Sequence, residues 1–198
     1  LYPEFFQRLD ENPDAHFYTQ PRLVTHIDKA ASQAACSLYG RLLQGGYVLD
    51  LMASYYSHLP SNFDRVTGLG LNCVELEKNK ALSDYLLHDI NVTPRLPFES
   101  ESFDGVVCTV SIQYMTRPLE VFAEVARCLK PAAPFIVTFS NRMFPTKAVL
   151  AWRTSDDAAH KRLVAHYFAA SGAFGKTSSE DYRPRSGDPL YSLWAPKA

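Results

Sequence analysis

An aspartate at the end of an apolar run is the residue of this chain best placed to do chemistry. Asp50 follows Tyr47, Val48 and Leu49 in a stretch that is typical of a buried parallel strand. A carboxylate at the carboxyl end of such a strand can receive a ligand in the crevice of an open α/β sheet. It can also cap the turn that follows, but its position directly after the strand favours the ligand-binding role.

The loop after this strand, Met52-Ala53-Ser54-Tyr55-Tyr56, contains no glycine. A dinucleotide-binding loop needs glycines so that its backbone can approach a pyrophosphate at a helix N-terminus. Because the G-x-G-x-x-G pattern is absent, the sequence argues against a nicotinamide-dependent oxidoreductase. It also lacks a P-loop, an H-E-x-x-H pair and a G-x-S-x-G elbow. Tyr55 and Tyr56 can face a cationic ligand group or pack inside, and we expect packing for at least one of them.

Two histidines are candidates for acid–base chemistry. His58 lies just beyond the glycine-free loop, and His26 lies in the N-terminal part of the chain. An imidazole that titrates near neutral pH can act as a general base, although most histidines are structural. We take His58 as the candidate catalytic base.

Composition limits the classes of protein to consider. The chain has 198 residues, of which 46% are hydrophobic, and its formal net charge is -1. It therefore has enough apolar residues for a core but no basic excess of the kind that binds nucleic acid. No apolar run approaches the roughly 20 residues that span a bilayer. The cysteines are far apart and form no C-x-x-C pair, so we expect reduced thiols in a reducing compartment rather than a disulfide or metal cluster; they are Cys36, Cys73, Cys108 and Cys128.

Hydrophobic periodicity divides the chain into strands and helices. A helix is predicted from Pro21 to the Gly45-Gly46 pair, because apolar residues from Leu23 to Leu42 follow a 3.6-residue period. The other predicted helices cover 74–78, 117–129, 145–153 and 157–170. The predicted strands cover 47–51, 65–69, 85–88, 103–109, 135–139, 174–179 and 190–194.

The order of these elements predicts the fold class. Strands that alternate with helices form a parallel sheet with helices on its faces. The last two strands leave no room for a crossover helix, so they must pair antiparallel at one edge. We predict a single domain over 1–198, with an N-terminal helical cover at 1–44 and a sheet core at 45–198.

Four motifs, in this order and spacing, resemble those of the class I S-adenosylmethionine-dependent methyltransferases, and most closely the small-molecule methyltransferases of type 11. The resemblance spans roughly residues 20–198. It implies a Rossmann-like doubly wound sheet of five parallel strands plus a C-terminal antiparallel pair, in the order 3-2-1-4-5-7-6. The motifs are Val48-Leu49-Asp50-Leu51, His88-Asp89-Ile90-Asn91 with Leu96-Pro97-Phe98, the segment from Ser102-Phe103-Asp104-Gly105-Val106-Val107 to Tyr114, and Leu129-Lys130-Pro131-Ala132-Ala133-Pro134.

Two departures from that family concern its cofactor site. The first motif of the family continues as Gly-x-Gly-x-Gly, whereas the matching positions here are Met52, Ser54 and Tyr56. The family also has an acid after the second strand that holds the ribose hydroxyls. Gly70 stands at that position, with Asn72 and Glu75 as the candidates to substitute for it. Because S-adenosylmethionine has no phosphate, a bulkier loop is compatible with binding of its amino-acid end.

The resemblance implies roles for residues at several strand ends. Asp50 would position the methionine amino group, and Asp89 would accept a hydrogen bond from the adenine amino group, although Asp89 can also be a simple turn residue. The candidate cofactor-binding residues are Asp50, Met52, Ala53, Ser54, Gly70, Asn72, Asp89, Ile90 and Ser111.

The resemblance also places the segment after the fourth strand beside the methyl acceptor. Tyr114 is a candidate catalytic residue that would orient the substrate, and it can equally belong to the core. Arg22 and Arg142 can bind an acidic group or lie in solvent. The candidate substrate-binding residues are Arg22, Gln113, Asn141 and Arg142.

The implied function is in-line transfer of a methyl group from S-adenosylmethionine to an unidentified small molecule, with no metal, nucleic acid or membrane involved. The alternative is a protein that keeps the fold, has lost catalysis and serves as a cofactor-binding or scaffold module. We expect a cytoplasmic protein, unless an organelle-targeting segment has been trimmed from its start. The sequence implies no oligomeric state.

Overall fold

A seven-stranded mixed sheet forms the centre of the molecule in the computed structural model, which describes residues 2–198. The strands are β1 Tyr47–Leu51, β2 Arg65–Gly70, β3 Asp84–Leu87, β4 Gly105–Thr109, β5 Pro134–Phe139, β6 Ser178–Tyr182 and β7 Leu190–Pro196. The helices are α1 Asp14–Phe17, α2 Lys29–Leu42, α3 Cys73–Glu77, α4 Pro118–Cys128, α5 Leu150–Arg153 and α6 Asp157–Ser171, with 3₁₀ turns at Pro3–Phe6 and Ile112–Tyr114.

The strand order is β3-β2-β1-β4-β5-β7-β6, and the predicted fold class is confirmed. The first five strands are parallel, and β7 runs antiparallel to both β5 and β6. Asp50 lies opposite Gly68 of β2 and Val107 of β4 in the ladder. It therefore sits on the central strand, where the chain order reverses between β1 and β4.

Apolar residues cover both faces of this sheet, as its parallel strands require. Helices α4, α5 and α6 cover one face, and α2 covers the other. Val48 and Asp50 point to the α2 face because side chains alternate along a strand. From α2, the Tyr39 hydroxyl bonds to the Thr109 and Thr138 hydroxyls at 2.6 and 2.8 Å, which ties this helix to β4 and β5.

Several predicted element bounds are wrong. Helix α2 starts at Lys29 rather than near Pro21, because the Asp28 side chain caps it by accepting from the Ala31 amide at 2.9 Å. Just before this cap, His26 has a φ of 64°, which a right-handed helix cannot include. Segment 145–153 is helical only over Leu150–Arg153. The sixth strand lies at Ser178–Tyr182 rather than 174–179, since this polar edge strand lacks the apolar signal of Phe174.

No helix within residues 2–198 combines the length and the apolar character needed to cross a membrane. In the same part of the chain, no group of three His, Cys, Asp or Glu side chains is arranged to hold a metal ion.

Candidate functional site

A cavity of about 600 Å³ opens at the carboxyl ends of the parallel strands. Its floor comes from residues that end or follow β1, β2, β3 and β4, and its other walls come from 14–26 and 142–147. This is the crevice that an open α/β sheet provides where its strand order reverses.

Most of the candidate residues meet in this one cavity, although they come from distant parts of the chain. Gln113 and Asn141 do not line it: Gln113 is 1% exposed and donates from its amide to the Val110 carbonyl at 2.8 Å, and Asn141 is exposed elsewhere. Tyr56 lines the cavity, whereas Tyr55 does not. The candidates in the wall are Arg22, Asp50, Met52, Ala53, Ser54, His58, Gly70, Asn72, Asp89, Ile90, Ser111, Tyr114 and Arg142.

The glycine-free loop after β1 keeps a backbone conformation that usually needs glycine. Met52 has a φ of 61°, in the left-handed region. The next residue, Ala53, donates from its amide to the Leu69 carbonyl at 2.8 Å, which holds the loop against the end of β2. A Cβ at Gly70 would collide with the Ala53 carbonyl oxygen, and one at Gly68 would lie 3.3 Å from the Ala53 Cβ. Strand β2 therefore has no room for an acid at position 70.

Two polar residues at and beside α3, Glu75 and Asn72, bind the N-terminal segment, and Glu75 also holds this loop from the other side. The Ser54 hydroxyl donates to Glu75 Oε2 at 2.6 Å, and the Arg22 amide donates to Glu75 Oε1 at 2.6 Å. The side-chain amide of Asn72 donates to the Tyr18 carbonyl at 2.7 Å. Glu75 is 4% exposed, so its carboxylate joins the loop after β1 to the N-terminal segment within the cavity wall.

Asp50 is buried, with an exposed fraction of 4%. Burial raises the pKa of its carboxyl to about 7, while the Ser57 hydroxyl, which donates to Oδ2 at 2.5 Å, acts in the opposite direction. This carboxyl therefore titrates near neutral pH. A cationic group in the cavity would favour its ionised form.

The two histidines face the cavity as neutral rings. Desolvation, followed by the charge of His26, lowers the pKa of His58 to about 4, and desolvation also lowers the pKa of His26. Because the Ser54 hydroxyl donates to Glu75, it can only accept from His26 Nε2, 3.4 Å away. This contact assigns the His26 proton to Nε2. His58 Nδ1 lies 2.8 Å from the Ser32 hydroxyl of α2.

The opposite part of the cavity is aromatic. The Arg22 guanidinium lies 4.3 Å from the ring centre of Phe17, 5.2 Å from that of Phe144 and 5.5 Å from that of Tyr18. Its two terminal nitrogens donate to the Phe17 carbonyl at 3.1 Å. Phe144 also stacks on Tyr114 at 6.0 Å and donates from its amide to the Tyr114 hydroxyl at 2.8 Å. Burial raises the pKa of Tyr114, so its hydroxyl is neutral.

A buried ion cluster anchors the N-terminal segment over the cavity. Lys147 is fully buried and lies 3.1 Å from the Asp10 carboxylate and 3.2 Å from that of Asp14. Asp14 also pairs with Arg8 at 2.6 Å and accepts a hydrogen bond from the side-chain amide of Asn91 at 2.9 Å. Breaking such a cluster would leave a buried charge without its partner, so this segment is firmly attached.

Three other candidates have weaker contacts. Arg142 is 66% exposed and pairs with Asp188 at 3.0 Å at the rim. The Asp89 carboxylate accepts a hydrogen bond from the backbone amide of Asn91 at 2.9 Å, as a turn residue does. Ser111 follows Val110, whose φ of 46° is a genuine outlier for a β-branched residue. Strained backbone of this kind is common at functional sites.

Sequence reasoning missed Ser57, Asn79, Asp14, Phe144 and Lys147. The polar residues Asn72, Glu75 and Asn79 stand close together in the sequence, and this clustering is the one available signal for Asn79. The ion cluster had no such signal, since Asp14 and Lys147 are more than 130 residues apart.

Residues 43–137 match a family model described as a methyltransferase domain. This part of the chain is similar to the methyltransferase domain family. A curated relative, the biotin biosynthesis bifunctional protein BioHC of Teredinibacter turnerae, is 37% identical over 65 residues. The match covers 33% of this chain and 11% of that protein, so the chain spans only a small part of this relative.

Solved structures share the fold of this chain at low identity. A SAM-dependent methyltransferase from Leishmania major has a TM-score of 0.66 and 15% identity, over 92% of this chain and 81% of that one. The 1,6-didemethyltoxoflavin-N1-methyltransferase of Burkholderia thailandensis, solved with its namesake compound and S-adenosylhomocysteine, has a TM-score of 0.63 and 16% identity, over 86% and 80%. The [4+2]-cyclase SpnF has a TM-score of 0.61 and 17% identity, over 85% and 82%.

Proposed function

We propose that this chain transfers a methyl group from S-adenosylmethionine to a small molecule, and that it does so in the cavity described above. The observation that supports this most is that residues from three of the four motifs line a single cavity. Its volume of about 600 Å³ lies within the range of roughly 300–1,000 Å³ that is usual for small-molecule sites. The proposal includes no nucleic acid or membrane partner.

The chemistry of the wall fits an adenosyl ligand with an amino-acid tail. Asp50 would bind the ammonium group, and Asp89 would accept from the adenine amino group. Glu75, with Asn72 beside it, would accept from the ribose hydroxyls, because Gly70 leaves no room for an acid on β2. The turn at Met52 lets the chain pass closely over the ligand despite the missing glycines.

Catalysis would depend on alignment and on the exclusion of water. When bound, S-adenosylmethionine supplies an electrophilic methyl group. Tyr114 would orient the acceptor with its ring and hydroxyl, and Arg22 and Arg142 would bind an acidic group on it. Since the pKa of His58 is about 4, this side chain is a weak base. It is better suited to accept a hydrogen bond from a hydroxyl or N–H acceptor than to store a proton.

A second candidate function is that of a module that binds ligand without catalysis. One observation favours it: both Glu75 oxygens already accept hydrogen bonds from protein donors. In this case the carboxylate serves the loop rather than a ribose.

Calorimetry with S-adenosylmethionine and S-adenosylhomocysteine tests the proposal. We expect micromolar binding of both. Asp50→Ala should weaken binding by at least ~1 kcal/mol, as expected on loss of a hydrogen bond to a charged partner. Glu120→Ala, at an exposed carboxylate of α4, is the matched control and should bind normally. If neither ligand binds to the wild-type chain, the proposed function is wrong.

A further inference from the structure

A chain of hydrogen bonds runs from the segment after α3 to the carboxyl of Asp50. The side-chain amide of Asn79 donates to the Ser57 hydroxyl at 2.9 Å and to the Ser54 carbonyl at 2.7 Å. The Ser57 hydroxyl then donates to Asp50 Oδ2 at 2.5 Å. Asn79, Ser57 and Asp50 are all buried, so no bulk water competes for these bonds.

The orientation of each group in this chain is fixed by its partners. Asn79 uses both amide hydrogens, and its oxygen accepts from the Ala81 amide at 3.1 Å. A flipped amide would set its oxygen against the Ser54 carbonyl oxygen, which is also an acceptor. Because Ser57 accepts from Asn79, its own proton is free to point at Asp50. The arrangement therefore directs a donor at one oxygen of Asp50.

Four of the other titratable groups around the cavity and in the sheet beneath it remain neutral. Burial raises the pKa values of Tyr39 on α2 and Cys108 on β4, and it lowers those of His26 and His58 in the cavity wall. The other carboxylates that line the cavity are Asp14, Glu75 and Asp89, and the cationic side chains that line it are Arg22, Arg142 and Lys147. The Ser57 hydroxyl is the group that acts against the effect of burial on Asp50.

We propose that Ser57 and Asn79 are positioning residues that hold the Asp50 carboxylate ready for the ammonium group of the adenosyl ligand. This inference rests on the proposed function for the identity of the ligand. Neither residue lines the cavity, so both act through Asp50. Because the ionised form of Asp50 binds the ammonium group, affinity for the adenosyl ligand rises with pH around pH 7, where this carboxyl titrates.

The test is the pH dependence of S-adenosylhomocysteine binding, measured by calorimetry from pH 6 to 8.5. Affinity of the wild-type chain should rise about tenfold for each unit of pH below the midpoint of Asp50. Ser57→Ala removes the donor, so the midpoint should move upward, with about tenfold weaker binding at pH 7 and recovery to within about threefold at pH 8.5. Ser57→Thr, which keeps the hydroxyl, should restore the wild-type profile. Asn79→Leu should resemble Ser57→Ala.

A merely structural role predicts a different result, because a damaged loop would bind more weakly by the same factor at every pH. That result, or an unchanged profile in Ser57→Ala, would overturn the inference. If Asn79→Leu does not fold, the comparison of Ser57→Ala with Ser57→Thr tests the inference. If the wild-type chain binds nothing at any pH, the proposed function fails, and the ¹³C carboxyl shift of Asp50 then decides. Its titration midpoint should be higher in Ser57→Ala than in the wild type, and equal midpoints would contradict the positioning role.

Discussion

The cavity has two parts that are held together by different forces. In the part beside β1, β2 and α3, buried polar groups such as Glu75, Ser57 and Asn79 make hydrogen bonds of 2.5–3.1 Å to neighbouring protein groups. In the part formed by Arg22, Phe144 and their neighbours, ring contacts at 4.3–6.0 Å dominate. Hydrogen bonds are directional and costly to leave unmade, whereas ring contacts tolerate adjustment. The first part is therefore suited to one fixed ligand and the second to a ligand of variable shape.

The largest effect should come from Asp50→Asn. Asp50 keeps its proton up to about pH 7 in the folded chain but only to about 3.8 when unfolded. The folded state therefore loses stability as pH rises between these values, and the asparagine should restore roughly 3 kcal/mol at pH 8 and little at pH 4. Urea unfolding at both pH values measures this. The variant should also bind S-adenosylhomocysteine more weakly, since it cannot pair with an ammonium group.

His58 provides the internal control for that experiment. Its pKa is lowered from 6.5 to about 4, so stability that it contributes above pH 6.5 is lost as pH falls toward 4. This trend opposes that of Asp50 over most of the same range. Asp50→Asn should therefore be clearly less stable at pH 4.5 than at pH 7. A flat profile in this variant would contradict the shifted pKa of His58.

The next largest effect should come from Glu75→Gln in the polar part. The amide keeps one acceptor oxygen, so either the Arg22 amide or the Ser54 hydroxyl loses its partner in a buried place. We expect affinity for S-adenosylhomocysteine to fall by about 2 kcal/mol. Glu77→Gln, at an exposed position of the same helix, should leave affinity within about threefold. Equal effects of the two variants would mean that Glu75 does not shape the site.

A smaller and different effect is expected from Phe144→Ala in the aromatic part. The change removes the ring that contacts Phe17, Arg22 and Tyr114. Because the ring is partly exposed, we expect the free energy of unfolding to fall by about 1–2 kcal/mol and tryptic cleavage at Arg22 to become faster. The affinity for S-adenosylhomocysteine should stay within about threefold of the wild-type value. Met143→Ala, at the neighbouring exposed position, should cleave at the wild-type rate. A large loss of affinity in Phe144→Ala would show that the two parts are not independent.

The smallest effect should appear outside the cavity, in the turn before β5. Ala132 is exposed and has a φ of 63°. Ala132→Gly should therefore raise the free energy of unfolding by about 0.5–1 kcal/mol, because glycine relieves the strain of the left-handed backbone conformation. Ala133 next to it is 9% exposed and has no positive φ. Ala133→Gly should therefore lose stability. Urea unfolding of the two variants gives the comparison, and a gain in both would contradict the strain at Ala132.

The strands were predictable because apolar runs such as Tyr47–Leu51 have to be buried on both faces. The location of Asp50 followed from the same rule, since the carboxyl ends of parallel strands share an edge. The start of α2 was not predictable from periodicity, because Leu23 and Ile27, which precede Asp28, fit a helix that the cap at Asp28 excludes. Gln113 follows β4 yet turns inward to the Val110 carbonyl, a choice that depends on tertiary packing.

The contact between Ala53 and Gly70 couples the loop after β1 to strand β2. An acid restored at position 70 alone would push the loop off the strand, since its Cβ would meet the Ala53 carbonyl oxygen. Glycines at positions 52, 54 and 56 would leave Ala53 itself in place, so they would not by themselves remove this collision. A motif graft from a glycine-loop relative must therefore transfer the course of the loop together with the acid.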